Sequence, residues 1–538
     1  MYIKKRNTLN QLILKTMKII TFLLSLLLIG NFIYGQTTIE DGEEVSGVWT
    51  VANSPYTVMG EAIILQDETL TIEAGVEVKF KIGDIFNYQN ANFDAGILRV
   101  NGKLVAQGTE LDPIVFTRDG SEGNWGIIYF SETSDATTII EYCEIEYGKW
   151  VENLIVEQAY FYGAVSFYEA GAIINNNIFT NNSGAGIACY SNSNCTITNN
   201  ELSYNSYGVS CEYSIPNITD NTASNNTSYG FSFEHCTVGT VCNNIITENN
   251  AAGIECNGSE VTISYNLIDN NGVGGIYILF GDNSNIINNT ISNNGRGIYV
   301  NENSTPKIIG NAIVNNINAM YCSTNADVTI TNTTISYSSD VGVLCDAATL
   351  TITNSILWSN GALAVNSNSS ADISYSLIEG GTQGNIQFIE GNIINEDPLF
   401  VNPASGDFHL SDNSPCVNVG NNDVEDLPEN DLDGNQRIQG GIIDMGCYET
   451  SVISSIVQTT INEGFTIFPN PTNRIINFEF ADNNIEKLII SDITGKTIIK
   501  KIDIQQNEMI DLSSFVKGIY FISVQTEEEV YTKKIIKR

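Results

Sequence analysis

The sequence predicts an all-β protein: a parallel β-helix solenoid followed by a small C-terminal β-sandwich. Three observations carry this. A repeat near 22 residues runs through the middle of the chain, two wholly apolar columns keep step with it, and residues 465–538 change to a different alternating pattern. A fixed period of this size signals a solenoid, in which each repeat is one coil that buries its apolar face against its neighbours.

Residues 1–36 read as an export signal. Lys4, Lys5 and Arg6, then Lys15 and Lys18, precede an apolar run from Ile19 to Ile29, and Gly35 is a small residue before cleavage at Gln36. A positive stretch, a short apolar core and a small residue are the parts of a secretory signal. A start at Met17 would make it more compact. The competing reading is an N-terminal membrane anchor, but the run is short for a span, and no other run is long enough to cross a bilayer. No cysteine stands near the cleavage point, so the signal is not of the lipoprotein type.

The chain has 62 acidic and 24 basic residues, net −38. Five basic residues lie in 1–36 and ten of each sign in 465–538, so residues 37–464 keep nine basic and 52 acidic residues, net −43. Such a surface makes nucleic acid a poor partner and favours divalent cations. Only 16 % of residues are charged and 42 % are hydrophobic, enough for a large core and unlike a charged disordered segment.

Residues 37–395 are assigned to the solenoid. Asn177, Asn200, Asn221, Asn244, Asn266, Asn289 and Asn311, continued by Thr333, Ser355 and Ser376, recur in steps of 21 to 23. Gly186, Gly208, Gly230, Gly253, Gly275, Gly297, Ala319, Gly342 and Ala364 give the same period independently. Three residues before the first column stands an apolar column from Ile174 through Ile286 to Ile373; two residues after it runs another, from Phe179 to Ile378. After the Gly column, positions +1 and +3 are mostly apolar and +2 is not, the period-2 pattern of a strand with one buried face. Short strands with Asn and Gly turns make each unit one coil, with like residues stacked about 4.8 Å apart. A leucine-rich repeat has a similar period, but its spacing of leucines is absent. A second Asn column, from Asn182 through Asn271 to Asn316 and then Asn360, lies five residues beyond the first. Asn tolerates left-handed backbone angles, and at coil corners its amides can bond from coil to coil.

These coils resemble the right-handed parallel β-helix proteins, the superfamily that includes pectate lyases. Leu70-Thr71-Ile72-Glu73-Ala74-Gly75-Val76, Gly102 to Thr109, Pro113 to Thr117 and Asn124-Trp125-Gly126-Ile127 look like the first coils of such proteins in secreted bacterial chains. That superfamily holds lyases, hydrolases, adhesins and proteins without assigned activity, so the resemblance implies a fold and not a function.

Eleven cysteines are present. Cys189, Cys211, Cys256, Cys322 and Cys345 share a column with Phe233, Ile278 and Val300, which reads as inward packing. Neighbouring coils hold Cys189 with Cys211 and Cys322 with Cys345, so oxidation of an exported chain stays open.

From Asp397 the period breaks, and residues 396–450 form a closing segment. Asp397-Pro398-Leu399-Phe400-Val401, Gly406 to Leu410, Ser414-Pro415-Cys416, Asp431 to Arg437 and Ile443 to Glu449 follow in order. This resembles the choice-of-anchor segment that ends many secreted bacterial β-helices. Cys416 and Cys447 stand where that resemblance implies small residues, which suggests a disulfide between them. Asp431, Asp433 and Asn435 have the alternate spacing of part of a calcium loop, so calcium is the one cofactor the sequence raises; none is required. The competing reading is a turn in which Arg437 pairs with a carboxylate.

Residues 451–464 are a linker. Phe465-Thr466-Ile467-Phe468-Pro469-Asn470-Pro471, Ser491 to Lys496, Ile510 to Ser513, Lys517 to Val524 and the basic end Lys533-Lys534 to Lys537-Arg538 then read as strands of a separate β-sandwich. In this order the pieces resemble the type A sorting domain of the type IX secretion system. The resemblance implies a Gram-negative host of the Bacteroidota type, the type IX machinery as a partner, and delivery to the outer-membrane surface or the medium.

Catalytic material is sparse. Coils 150–380 hold only Arg296 and Lys307 as cations, on different strands, and the chain has only His235 and His409. Glu212, Glu234, Glu255, Asp269, Asp282 and Asp346 are spread over columns, though Glu212 and Glu234 stack. Position +2 after the Gly column carries Tyr277, Tyr299 and Tyr321 on successive coils, facing out. The strip reads either as rings tiling a sheet face or as a platform for sugar rings. The functional expectation is an exported protein that binds extracellular polysaccharide or another surface without evident catalysis. The alternatives are a polysaccharide lyase or glycoside hydrolase, and a structural spacer or adhesin.

Overall fold

The structure is a computed structural model that describes residues 36–83, 94–149, 151–156, 159–380, 382–450, 465–470, 472–480, 485–492, 496–502, 504, 508–526 and 530–537. It divides into two units, Met1–Ser451 and Val452–Arg538. The export signal, apart from Gln36, and the linker 451–464 lie outside the described residues.

The first unit is a right-handed parallel β-helix whose strands stack into three sheets of 16, 15 and 15 strands. One coil shows the plan. Asn285–Ile287 lies in the third sheet, Thr290–Ser292 in the first sheet of the next turn, and Arg296–Val300 in the second. Ile286 pairs in register with Ile263 on one side and Ile308 on the other. Both apolar columns face the interior: every member from Ile174 to Ile373 is 0 % exposed, and those from Phe179 to Ile378 are at most 4 %. Fully burying one such side chain contributes about 1.5–3 kcal/mol, so each coil adds to the apolar support of the stack through both columns. The cysteine column also lies inside, beside Ile254, Ile276 and Ile298.

The corners are held by the Asn ladders. Asn266 donates its backbone N–H to Asn289 Oδ1 (2.9 Å), and its Nδ2 to the same oxygen (2.9 Å), to Val241 O (2.9 Å) and to Ser264 O (3.0 Å). Its own Oδ1 accepts from the backbone N–H and Nδ2 of Asn244. The second ladder repeats the arrangement, with Asn271 donating to Asn294 and Ile246 O. These bonds satisfy backbone groups that leave the sheet ladders where the chain turns. The left-handed residues, however, stand one position before the ladder members. Asn199, Asn243 and Asn288 have φ of 55°, 58° and 52°, and Asn181, Asn225 and Asn270 precede the second ladder in the same way. One residue turns the chain and the next points its amide into the stack.

Two features depart from the coil plan. Val151–Val156 and Ala159–Phe161 form an antiparallel hairpin between a first-sheet and a second-sheet strand. After the last coil, Phe400–Asn402 and Asp407–Leu410 form a second hairpin. Phe408 packs on Ala312 and Val314, and Leu410 on Ile356 and Leu377. The chain then runs back along the coil corners. Asn421 and Asn354 exchange bonds of 2.7 and 2.8 Å, Asn332 Nδ2 donates to Asp444 O (3.0 Å), and Asn288 Nδ2 donates to Asn430 O (3.1 Å). The turn residues of three coils are thereby the seat of the closing segment.

In the second unit the described strands pair antiparallel, and one isolated parallel bridge joins Thr472 to Lys537. Phe465–Phe468, Ile475–Phe480 and Met509–Asp511 form one sheet; Ile485–Asp492, Thr497–Lys501, Gly518–Thr526 and Val530–Lys537 form another. Phe465, Phe478, Leu488, Ile490, Ile522 and Val524 make its own core.

Candidate functional site

The outer face of the second sheet gathers the chemistry-bearing side chains. In the strands from Tyr207 to Val300 the Gly-column residue and the one after it are buried in succession, such as Gly275 with Ile276 and Gly297 with Ile298. The residue before the Gly therefore shares the outer face with positions +2 and +4. Tyr207, Tyr229, Ala252, Gly274 and Arg296 occupy successive places in one file, with Ala252 and Gly274 buried, and Glu255, Tyr277, Tyr299 and Tyr321 follow in the next.

The sequence-predicted strip is present. Tyr277 pairs with Tyr299, and Tyr299 with Tyr321, on successive strands. Their ring centroids are 5.2 and 5.4 Å apart, the first pair edge-on at 70° and the second tilted by 30°. All three are half-buried. The Tyr277 ring leans over Gly274, where a Cβ would fall 2.5 Å from its Cε1. Arg296 fills the remaining space. Its Nη1 donates to the Tyr277 hydroxyl (3.3 Å), and its guanidinium stands 5.3 and 5.8 Å from the Tyr299 and Tyr321 ring centroids. The rings thus form one assembly locked by a cation, which a strict +2 reading does not reveal. The signal lay in the position before the Gly column, where Tyr207, Tyr229 and Arg296 recur.

Beside the strip sits Glu255. Ser232 Oγ donates to it (3.2 Å), and the Tyr229 hydroxyl bonds it as well. Burial raises its pKa, and these two bonds act against that rise. Tyr229 in turn stacks on Tyr207 at 5.8 Å. Glu212 and Glu234 pair on adjacent strands, and burial, then the Glu234 charge, raises Glu212. Arg296 and Lys307 lie in different sheets, and Lys307 pairs with Asp426 of the closing segment.

The other sequence-predicted groups lie in the closing segment. Asp431 is fully buried, and its oxygens accept from the backbone N–H groups of Asp433 (3.0 Å), Asn435 (2.7 Å) and Glu449 (2.9 Å) and from Asn435 Nδ2 (3.2 Å). Asp433 turns instead to His409 Nε2, 2.6 Å away, while Asp407 holds Nδ1 at 2.7 Å. Burial pulls His409 down, and its bonds to Asp433 and Asp407 outweigh that and raise its pKa. Asp431, Asp433 and Asn435 thus share a turn but face different partners. Among the described residues no three His, Cys, Asp or Glu side chains are grouped to hold a metal ion. Arg437 is buried 3.8 Å from Glu449. The Cys416–Cys447 disulfide is not made in this structure. Both are buried thiols, Cys416 packed with Leu377, Leu410 and Met445 and Cys447 with Ala312, Val314 and Phe408, so each fills its own apolar cluster.

Residues 125–289 and 256–378 match the family described as right handed beta helix region, and residues 466–538 match the secretion system C-terminal sorting domain. A comparison with curated protein sequences finds no match. Similar solved structures include the periplasmic alginate epimerase AlgG, at 14 % identity and TM-score 0.40 over 65 % of this chain and 84 % of that one. The A-module of the Azotobacter vinelandii mannuronan C-5 epimerase AlgE4 is similar at 13 % identity and TM-score 0.29, over 61 % and 89 %. Tailspike protein 3 of bacteriophage CBA120 is similar at 12 % identity and TM-score 0.28, over 67 % and 56 %. All three fall below a TM-score of 0.5 and say nothing about substrate. Residues 125–378 are a right-handed β-helix, and residues 466–538 are a sorting domain that commits the chain to the type IX secretion system and to export to the cell surface or the medium.

Proposed function

We propose that this exported β-helix binds extracellular polysaccharide on the outer face of its second sheet, without catalysis by that face. The observation that supports the reading is the file of Tyr277, Tyr299 and Tyr321 at 5.2 and 5.4 Å, held by Arg296. Amphipathic rings stack on the apolar faces of sugars while their hydroxyls stay hydrated. A strip spanning three coils offers contact to a chain of sugar units rather than to one. Export begins with the signal at residues 1–36 in a Bacteroidota-type host and ends with the sorting domain.

The test is retention on a panel of immobilised polysaccharides. Replacing Tyr277, Tyr299 and Tyr321 together with Ser should leave the coils folded and weaken retention on whichever polymer the wild type binds. Equal retention by both proteins would remove the platform; a large loss of thermal stability would favour rings that tile the sheet. A lyase or hydrolase is the second reading, favoured by Glu255, a carboxylate raised by burial beside Tyr229. Release of unsaturated or reducing sugar from the same panel, with and without calcium, separates the two.

A further inference from the structure

A cleft of about 460 Å³ lies between the outer face of the first sheet and the closing hairpin, away from the tyrosine strip. One wall is Tyr337 and Trp358, from successive coils. Tyr337 N–H and Ser336 Oγ both donate to Trp358 O, at 3.3 and 2.5 Å, which fixes the two residues against each other. The other wall is Asp397, Leu399, Phe400 and Pro403. Tyr337 and Phe400 both meet the buried Phe408 ring edge-on, at 5.8 and 5.4 Å, so both rings are anchored from behind. Asp397 Oδ1 accepts the Leu399 N–H (2.8 Å), and Leu399 is held in the left-handed region at φ 54°.

We propose that this cleft binds a small organic cation of the alkylated or quaternary ammonium type. Three aromatic side chains line it, and aromatic faces attract cations through their quadrupole. Asp397 supplies the one formal charge among the described lining residues. Residues 37–464 as a whole carry net −43, a charge that favours approach of cations over anions. The volume suits a small ligand. The site is independent of the polysaccharide reading, because it lies on another sheet and uses other residues.

The experiment is a fluorescence and calorimetric titration of the full chain with choline, with its uncharged isostere 3,3-dimethylbutan-1-ol, and with methyl glucoside. Of the four tryptophans, Trp49 and Trp125 are buried, Trp358 is half-buried and Trp150 lies outside the described residues, so Trp358→Phe identifies the share of the signal that Trp358 carries. Choline is expected to bind about tenfold more tightly than the isostere, the discrimination expected from one or two cation–aromatic contacts with a carboxylate. Asp397→Asn keeps an acceptor for the Leu399 amide and should remove most of that preference. Equal binding of choline and isostere would overturn the proposal, as would binding of the glucoside alone. Absence of any signal with choline would overturn it too.

Discussion

Arg437 occupies the space over Gly310: a Cβ on Gly310 would fall 2.7 Å from Arg437 Nη2 and would strike Asn288 Oδ1. The two residues are far apart in sequence and meet because the closing segment returns along the coil corners. On the neighbouring coils the equivalent turn positions are Asn288 and Asn332, which bond the returning chain directly. Gly310, at φ 70°, leaves the gap between them into which the guanidinium fits. Arg437 then donates from Nη1 to Cys447 O (3.2 Å) and Gly446 O (3.4 Å), tying two parts of the closing segment to one corner.

Gly310→Ala should therefore loosen the closing segment. The left-handed backbone costs an Ala about 1–2 kcal/mol, and displacing a buried guanidinium adds to it, for a total near 2–4 kcal/mol. Thermal unfolding should show the loss, and limited proteolysis should cut within 416–450 before the coils. An unchanged melting temperature with unchanged protection would show that Arg437 is not seated there.

Asn266→Ala should be costly for a surface-like residue type. It removes the donors to Val241 O and Asn289 Oδ1 and the acceptor for Asn244, all buried, and the part-buried bond to Ser264 O. Leaving buried polar groups without partners costs about 1–3 kcal/mol each before relaxation, so a loss of several kcal/mol is expected. The exposed Asn250→Ala should stay within about 0.5 kcal/mol. Similar denaturation midpoints for the two variants would refute the ladder's role.

The coil plan was legible because it repeats. A register read from Ile263, Ile286 and Ile308 is checked by each neighbouring coil, and Asn columns mark the corners. The closing segment repeats nothing, so the seat of Arg437 on Gly310 could not be read from either residue alone. The same holds for the second sheet. Alternation found Tyr277, Tyr299 and Tyr321, but Arg296 joins them only because the strand buries two residues in succession, which a strict period of two does not anticipate. Asp431 and Asp433 show the converse: their spacing was visible, but the competing partners of each carboxylate, backbone amides for one and His409 for the other, come from elsewhere in the fold.

The buried carboxylates predict a pH dependence of stability. Burial, then the neighbouring Asp444 charge, pushes Glu449 up to about 9 against the pull of Arg437, and burial also raises Asp282, to about 6, and Asp444. A carboxyl with a raised folded-state pKa takes up its proton more readily folded than unfolded. Its contribution is fully present below the unfolded value near 4.5 and is lost as pH rises through the folded value. Melting temperature should fall between about pH 5 and 9, and Glu449→Gln should flatten that slope. A slope identical in the two proteins would assign the dependence to other groups.

Removing residues 465–538 should abolish delivery without unfolding the β-helix. The tail is a sorting domain, so its loss removes the feature that the type IX machinery handles. It also has its own core, from Phe465 and Phe478 to Ile522 and Val524, while the interior of the coils is built from residues up to Ile378. The truncated protein should accumulate in the periplasm, show the β-sheet spectrum of the coils and melt as cooperatively as the full chain's first unit. Fractionation and spectroscopy on the same preparation keep the two outcomes apart. Truncated protein at the surface in normal amounts would refute the sorting role, and an unfolded truncated protein would show that the coils need the tail. The charge also divides at this boundary: the tail carries ten residues of each sign, whereas residues 37–464 are strongly acidic.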